Sequence, residues 1–80
     1  MPVTVEQVLE DIAQCLRVEP AEITTSTSAA ELPAWDSLAV VELVFMLQRD
    51  YDLALPPAQA TTLRSVEAVL ATLRAAGKLA

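Results

Sequence analysis

The chain has 80 residues, of which 54% are hydrophobic, and a formal net charge of −6 at pH 7. This apolar content predicts one small folded domain and excludes an intrinsically disordered chain. The excess of acidic over basic residues disfavours nucleic acid and anionic membranes as partners, and it favours partner proteins with basic surfaces.

The chain contains one Cys, Cys15, and no His, so neither an internal disulfide nor a metal cluster is expected. We interpret Cys15 as a small buried or half-buried hydrophobic residue, because no His or Lys lies nearby to lower its thiol pKa. The segment after Met1 lacks the pattern of a signal peptide, and Glu42 interrupts the longest apolar run. We therefore expect a cytoplasmic protein that does not insert into membranes. Met1 and a complete set of predicted helices favour a free-standing protein over a domain excised from a larger polypeptide.

Helical spacing begins soon after the N-terminus. Thr4 followed by Gln7 is typical of a capping box, in which the two residues satisfy backbone groups at a helix start. Apolar residues then recur at intervals of three and four as far as Leu16. This spacing predicts a helix over about residues 5–17.

Residues 18–36 are predicted to form a long loop. Pro20 favours a single turn near its start, and the Ser/Thr cluster at 24–28 is interpreted as a solvated loop segment. A further turn before Pro33 is expected to direct Leu32 inward.

The second helix, predicted over about residues 37–51, is apolar on almost every side. One stripe at helical spacing is expected to face the core: Val40, Leu43, Val44 and Leu47. Other apolar residues lie outside or beside that stripe, where Glu42 interrupts them: Leu38, Val41, Phe45 and Met46. Because so small a domain leaves much of its surface wet, the outer side of this helix is expected to meet a partner.

The start of this helix carries the main chemical hypothesis. Asp36 is a typical N-cap residue, and Ser37 follows it in the first turn. A hydroxyl at this position lies at the positive end of the helix dipole, which favours a phosphate group. The sequence therefore suggests that Ser37 carries a covalent phosphodiester.

Two further helices complete the predicted fold. Pro57 favours a short helix over about residues 57–61. Ser65 is a predicted N-cap for a helix over about 65–76, and Gly77 is suited to the left-handed position after its end. No strand pattern is present, so residues 1–80 are predicted to form a single all-α domain, a small four-helix bundle with three main helices and a short third helix.

These residues resemble the acyl carrier proteins, in the broad group that also includes aminoacyl and peptidyl carriers. The resemblance is carried by Asp36-Ser37-Leu38 at the head of a helix, by Val41-Glu42-Leu43-Val44 after it, and by residues 51–56 and 63–69. It covers essentially the whole chain and implies an acyl-carrier-like fold.

The resemblance also implies that Ser37 is the attachment site of a 4′-phosphopantetheine arm, supplied from coenzyme A by a phosphopantetheinyl transferase that uses magnesium. Cargo would be held on the arm as a thioester. Asp36 would cap the helix and help the transferase to dock. The implied partners are this transferase, an acyl- or aminoacyl-loading enzyme, and a downstream transferase or synthase, with the carrier acting as a monomer.

The sequence departs from the family pattern just before the attachment residue. Many carriers have Gly or another small residue there, whereas this chain has Trp35. We interpret Trp35 either as a loop residue folded onto the surface to cover apolar area or as a residue that contacts the arm or a partner. The predicted partner contacts are Trp35, Leu38, Val41, Glu42, Phe45 and Arg49.

A second departure concerns charge on the second helix. Carboxylates are usual in fatty-acid carriers at the positions that Ala39, Gln48 and Arg49 occupy here, which leaves Glu42 and the distal acids Asp50 and Asp52. The Gly-Gly-His/Asp-Ser pattern of multimodular peptide synthetases is also absent. Together these departures favour a discrete carrier of secondary metabolism, with acyl, polyketide or aminoacyl cargo.

The sequence also bears on two other function classes. Intrinsic catalysis is not expected, because the chain has no His, no Gly-rich phosphate loop and no convincing pair of nucleophile and base. The alternative to a carrier is a helical adaptor that binds a partner through the apolar outer face of the second helix.

Overall fold

The computed structural model describes residues 3–79, apart from the side chain of Pro57. Within this range the order of elements is α1 (Val5–Leu16), a 3-10 turn (Pro20–Glu22), α2 (Ser37–Asp50), α3 (Pro57–Ala60) and α4 (Val66–Ala75). No strand forms among these residues, although isolated bridges pair Val3 with Leu79 and Ser28 with Ser65. The predicted all-α, four-helix fold is confirmed. None of the helices described is long and apolar enough to cross a bilayer.

Local hydrogen bonds define both ends of α1. The Thr4 Oγ1 accepts a hydrogen bond from the Gln7 N–H at 3.2 Å, whereas the Gln7 side chain donates to Asp11 at 3.1 Å. Only the Thr4 half of the predicted capping box therefore forms, because Gln7 and Asp11 are neighbours one turn apart on the helix surface. The helix ends at Leu16, and Arg17 follows in the left-handed region with φ 58°.

The core combines helical and loop residues. Fully buried helical side chains come from α1 (Val8, Ile12), α2 (Leu43, Leu47) and α4 (Val66, Val69, Leu73). The connecting segments add Ile23, Trp35, Tyr51, Leu53, Leu55 and Leu63. A domain of this size reaches a sufficient core only by burying apolar loop residues as well as helix faces.

The buried side of α2 is wider than the predicted stripe and is rotated relative to it. Val40, Leu43 and Leu47 are buried as expected, but Val44 is only half-buried. Ala39 and Met46, which are not part of the predicted stripe, are also buried, so the predicted core side of α2 is incomplete at these two positions. Because α2 packs against both α1 and α3, it buries a wider side than a single stripe.

The long loop before α2 is attached to the start of α4. The Ala29 N–H donates to the Arg64 carbonyl at 2.7 Å, and the Val66 N–H donates to the Thr27 carbonyl at 3.0 Å. The side chain of Thr27 is buried, and its Oγ1 accepts from the Thr24 N–H at 2.9 Å. The prediction of a solvated Ser/Thr cluster is therefore wrong at Thr27, although residues 24–26 are exposed.

The C-terminal end of α2 is tied to α1 by a side-chain pair. The Tyr51 hydroxyl donates a hydrogen bond to the Asp11 carboxylate. Burial, followed by this hydrogen bond, raises the pKa of Tyr51 well above its usual value. Both ends of α2 are thus held by neighbouring segments, which positions its first turn relative to the rest of the domain.

Candidate functional site at the start of α2

The first turn of α2 is organised by Asp36. This residue has extended backbone angles, and its Oδ1 accepts a hydrogen bond from the Ala39 N–H at 2.9 Å. Ser37 is the first helical residue, and it is exposed. The cap therefore fixes where the helix begins, and the helix start presents the Ser37 side chain to solvent.

The electrostatic environment of Ser37 is that of an open helix N-terminus. Among the described residues, no hydrogen bond uses the backbone N–H of Ser37 or of Leu38. These two donors and the helix dipole favour a negative charge close to Ser37. A phosphate ester on the Ser37 hydroxyl fits this environment, because the residue is exposed and lies at the positive end of the helix dipole.

Trp35 anchors the chain immediately before this site. Its side chain is only 2% exposed, and the indole N–H donates to the Leu63 carbonyl at 3.0 Å. The prediction that Trp35 lies on the surface is wrong, and a core residue cannot serve as a partner contact. The indole is buried because the loop before it is attached to the α3–α4 connection, where the Leu63 carbonyl satisfies its N–H.

Three of the remaining predicted contact residues form an exposed apolar surface on α2. Leu38, Val41 and Phe45 are 64%, 48% and 61% exposed. They lie on one side of the helix, and we call them the apolar outer face. Glu42 is half-buried at its edge, and Arg49 is exposed further along α2, where it makes two hydrogen bonds to Asp50 at 2.9 and 3.2 Å.

Two hollows lie between the end of α1 and α2. The entrance hollow, of about 200 Å³, is lined by residues that include Asp36 and Leu38 on either side of Ser37. The lower hollow, of about 350 Å³, is lined by residues that include Phe45 and Arg49. Both hollows share the residues Cys15, Arg17 and Glu42, and the Arg17 guanidinium lies 3.8 Å from the Glu42 carboxylate.

Cys15 is half-buried between these hollows, as the sequence predicts. Burial, with a smaller effect from Glu42, raises the pKa of its thiol. The position of Arg17 next to the Ser37 site was not predicted from the sequence. No local pattern indicates that contact, since Arg17 and Asp36 are separated by the whole length of the loop.

The chain is similar in sequence to known carrier proteins. The family model described as a phosphopantetheine attachment site matches residues 6–73. An acyl carrier protein of Amoebophilus asiaticus is 34% identical over 65 residues, which cover 81% of both chains. An acyl carrier protein of Bdellovibrio bacteriovorus is 32% identical over 72 residues, covering 90% of this chain and 92% of the relative. A meromycolate extension acyl carrier protein of Mycobacterium tuberculosis is 33% identical over 75 residues, covering 89% of this chain and 65% of that protein.

Proposed function

Because this chain belongs to the acyl carrier protein family, whose cofactor is 4′-phosphopantetheine, we propose that Ser37 is the residue that bears the arm. The arm supplies a thiol on which cargo is carried as a thioester. The observation that carries this assignment is the exposed Ser37 at the first position of α2, directly after the N-cap Asp36. The family match favours a carrier over an armless helical adaptor.

The residues around Ser37 have separate roles in this proposal. Asp36 caps α2 and contributes to docking of the transferase through its exposed carboxylate. During transfer the Ser37 oxygen forms a bond to the phosphorus of the phosphopantetheine part of coenzyme A. The bond from that phosphorus to the nucleotide breaks, and adenosine 3′,5′-bisphosphate leaves. The Ser37 proton passes to a base on the transferase.

Partner enzymes are proposed to dock on the apolar outer face, with Glu42 and Arg49 at its margin. The support is the exposure of Leu38, Val41 and Phe45 close to the proposed attachment residue. Arg49 is already paired with Asp50, and Glu42 is the one charged residue between Leu38 and Phe45, so few charges are available on this surface. Apolar contacts are therefore expected to contribute more to partner binding than charge does.

For the cargo, we propose an acyl or polyketide chain in secondary metabolism. The names of the related acyl carrier proteins favour acyl over aminoacyl cargo. The case for secondary metabolism rests on Gln48 and Arg49, which are exposed where fatty-acid carriers usually have carboxylates. Ala39 no longer supports it, because this residue is buried.

The attachment is tested by intact mass after incubation with coenzyme A, magnesium and a promiscuous phosphopantetheinyl transferase. The native chain should gain the mass of one phosphopantetheine, and Ser37→Ala should gain none. Ser28→Ala is a control, since this loop hydroxyl already hydrogen-bonds Glu31 at 3.1 Å, and it should be modified normally. Modification of the Ser37→Ala chain, or none of the native chain, would contradict the assignment.

A further inference from the structure

The entrance hollow lies next to the proposed attachment residue. It lies between the end of α1 and the first turn of α2, and Asp36 and Leu38, the two chain neighbours of Ser37, both line it. Ser37 itself does not line the hollow, so a group attached to its hydroxyl starts beside the hollow and can reach into it. Because the group is tethered, its effective concentration there is on the order of millimolar, so a contact with a dissociation constant of about a millimolar is already half occupied.

One guanidinium and two carboxylates line the hollow, those of Arg17, Asp36 and Glu42, so an anion can be attracted only at Arg17. Arg17 is the one cation among the residues that line it, and the Arg17 side chain is 81% exposed. Its contact with Glu42, at 3.8 Å, lies near the outer limit for an ion pair and is therefore weak. A phosphodiester on Ser37 adds negative charge beside Asp36, and a guanidinium is well suited to bind phosphate oxygens.

The walls of the hollow suit the rest of the arm. Leu38, Ala34 and Leu16 contribute apolar surface, and Glu42 and Arg17 contribute polar groups. The pantetheine part has the same combination, with two methyl groups on one carbon and two amides. A concave surface with apolar walls and a few polar groups is the usual form of a small-molecule site.

We propose that the entrance hollow is a binding site for the chain's own phosphopantetheine arm, in which Arg17 contacts the phosphodiester and the pantoyl part of the arm lies against Leu38 and Ala34. The proposal rests on the proposed attachment at Ser37. In this arrangement Arg17 exchanges its weak contact with Glu42 for the phosphate. The seated arm covers Cys15, which lines the same hollow.

Cys15 provides a probe of this site, since its thiol is half-buried and lines the entrance hollow. The experiment measures the rate at which N-ethylmaleimide modifies Cys15 in the native chain before and after attachment of the arm. Peptide mass spectrometry counts Cys15 and the arm thiol separately. We expect Cys15 to react severalfold more slowly in the arm-bearing protein.

Two variants test the contribution of Arg17. In Arg17→Gln the residue at the left-handed position still has a side chain, so its backbone preference is little changed, but the charge is lost. In this variant, the rate of Cys15 alkylation with the arm should be nearly the same as the rate without it. The matched control is Arg64→Gln, because Arg64 is exposed and lines neither hollow, and this variant should keep the full protection. Each variant is compared with itself, as the ratio of its Cys15 alkylation rates with and without the arm. A substitution that only changes the general accessibility of Cys15 therefore leaves this ratio unchanged.

The outcomes distinguish this proposal from the attachment itself. If intact mass shows the arm on Ser37 but Cys15 reacts equally fast with and without it, the binding site is wrong and the carrier function stands. If protection survives in Arg17→Gln, the phosphate contact at Arg17 is wrong. If no arm attaches to Ser37, the proposed function fails and this inference fails with it.

Discussion

Both sides of α2 carry large apolar side chains, but one side is buried and the other is exposed to solvent. Leu43 and Leu47 are fully buried, whereas Leu38 and Phe45 are more than half exposed on the same helix. The inner side is covered by α1 and α3, and the outer side is left to solvent. An all-round apolar helix in a small domain therefore combines a folding surface with a candidate binding surface, and substitutions on the two sides should have different consequences.

The largest expected effect is on the inner side. Leu47→Ala should lower the free energy of unfolding by about 2–5 kcal/mol, because it opens a cavity in a fully buried part of the core. Val44→Ala should cost less, since Val44 is only half-buried. Denaturant unfolding measures both. An equal loss of stability in Leu47→Ala and Phe45→Ala would break the distinction between the two sides.

The anchor before α2 should give the next largest effect. Trp35→Phe keeps most of the buried ring but removes the N–H that the Leu63 carbonyl accepts. Leaving that buried carbonyl without its donor should reduce the free energy of unfolding by about 1–3 kcal/mol. Thermal unfolding tests this, with modification of Ser37 as a check that the folded variant still presents the serine. A variant as stable as the native chain would show that the hydrogen bond contributes nothing.

The cap of α2 should have a smaller effect on stability. Asp36→Ala removes the acceptor of the Ala39 N–H and should cost about 1 kcal/mol. Asp36→Asn keeps a capping oxygen and should preserve most of that stability while losing the charge. If transferase docking uses the carboxylate, both variants should be modified more slowly than the native chain. Normal modification of Asp36→Asn, with slow modification of Asp36→Ala, would instead assign the effect to the helix start.

The smallest effect on stability is expected on the outer side. Phe45→Ala should change the free energy of unfolding by no more than about 0.5 kcal/mol, since its side chain is 61% exposed. It should reduce turnover by a cognate loading or transfer enzyme, and added salt should weaken binding of the native chain only modestly. The control is Gln59→Ala, an exposed change on α3 that should alter neither quantity.

The outcome of that experiment also tests how the partner is recognised. Strong salt dependence together with normal turnover of Phe45→Ala would return recognition to the carboxylates of Glu42, Asp50 and Asp52. A large loss of stability in Phe45→Ala would place its ring in the core. Either result would remove the apolar outer face from the proposed docking surface.

The features that sequence analysis predicted well depend on residues close together in the chain. The caps at Asp36 and Ser65 each accept from an N–H three residues later, and Gly77 has the predicted positive φ of 72°. The exposure of Leu38, Val41 and Phe45 follows from helical periodicity and from the small size of the domain. The position of Ser37 in the first turn of α2 is also a local feature, because it depends on the neighbouring cap residue Asp36.

The remaining features were decided by contacts between distant segments. Trp35 is buried because its indole reaches the Leu63 carbonyl, 28 residues away. Ala39 and Met46 are buried because α2 meets two other helices, and Thr27 is buried because its loop is attached to α4. Arg17 adjoins the Ser37 site only after α1 and α2 have packed together. Helix caps and periodicity are local properties of the chain, whereas burial and the shape of a hollow depend on which surfaces the folded chain brings together.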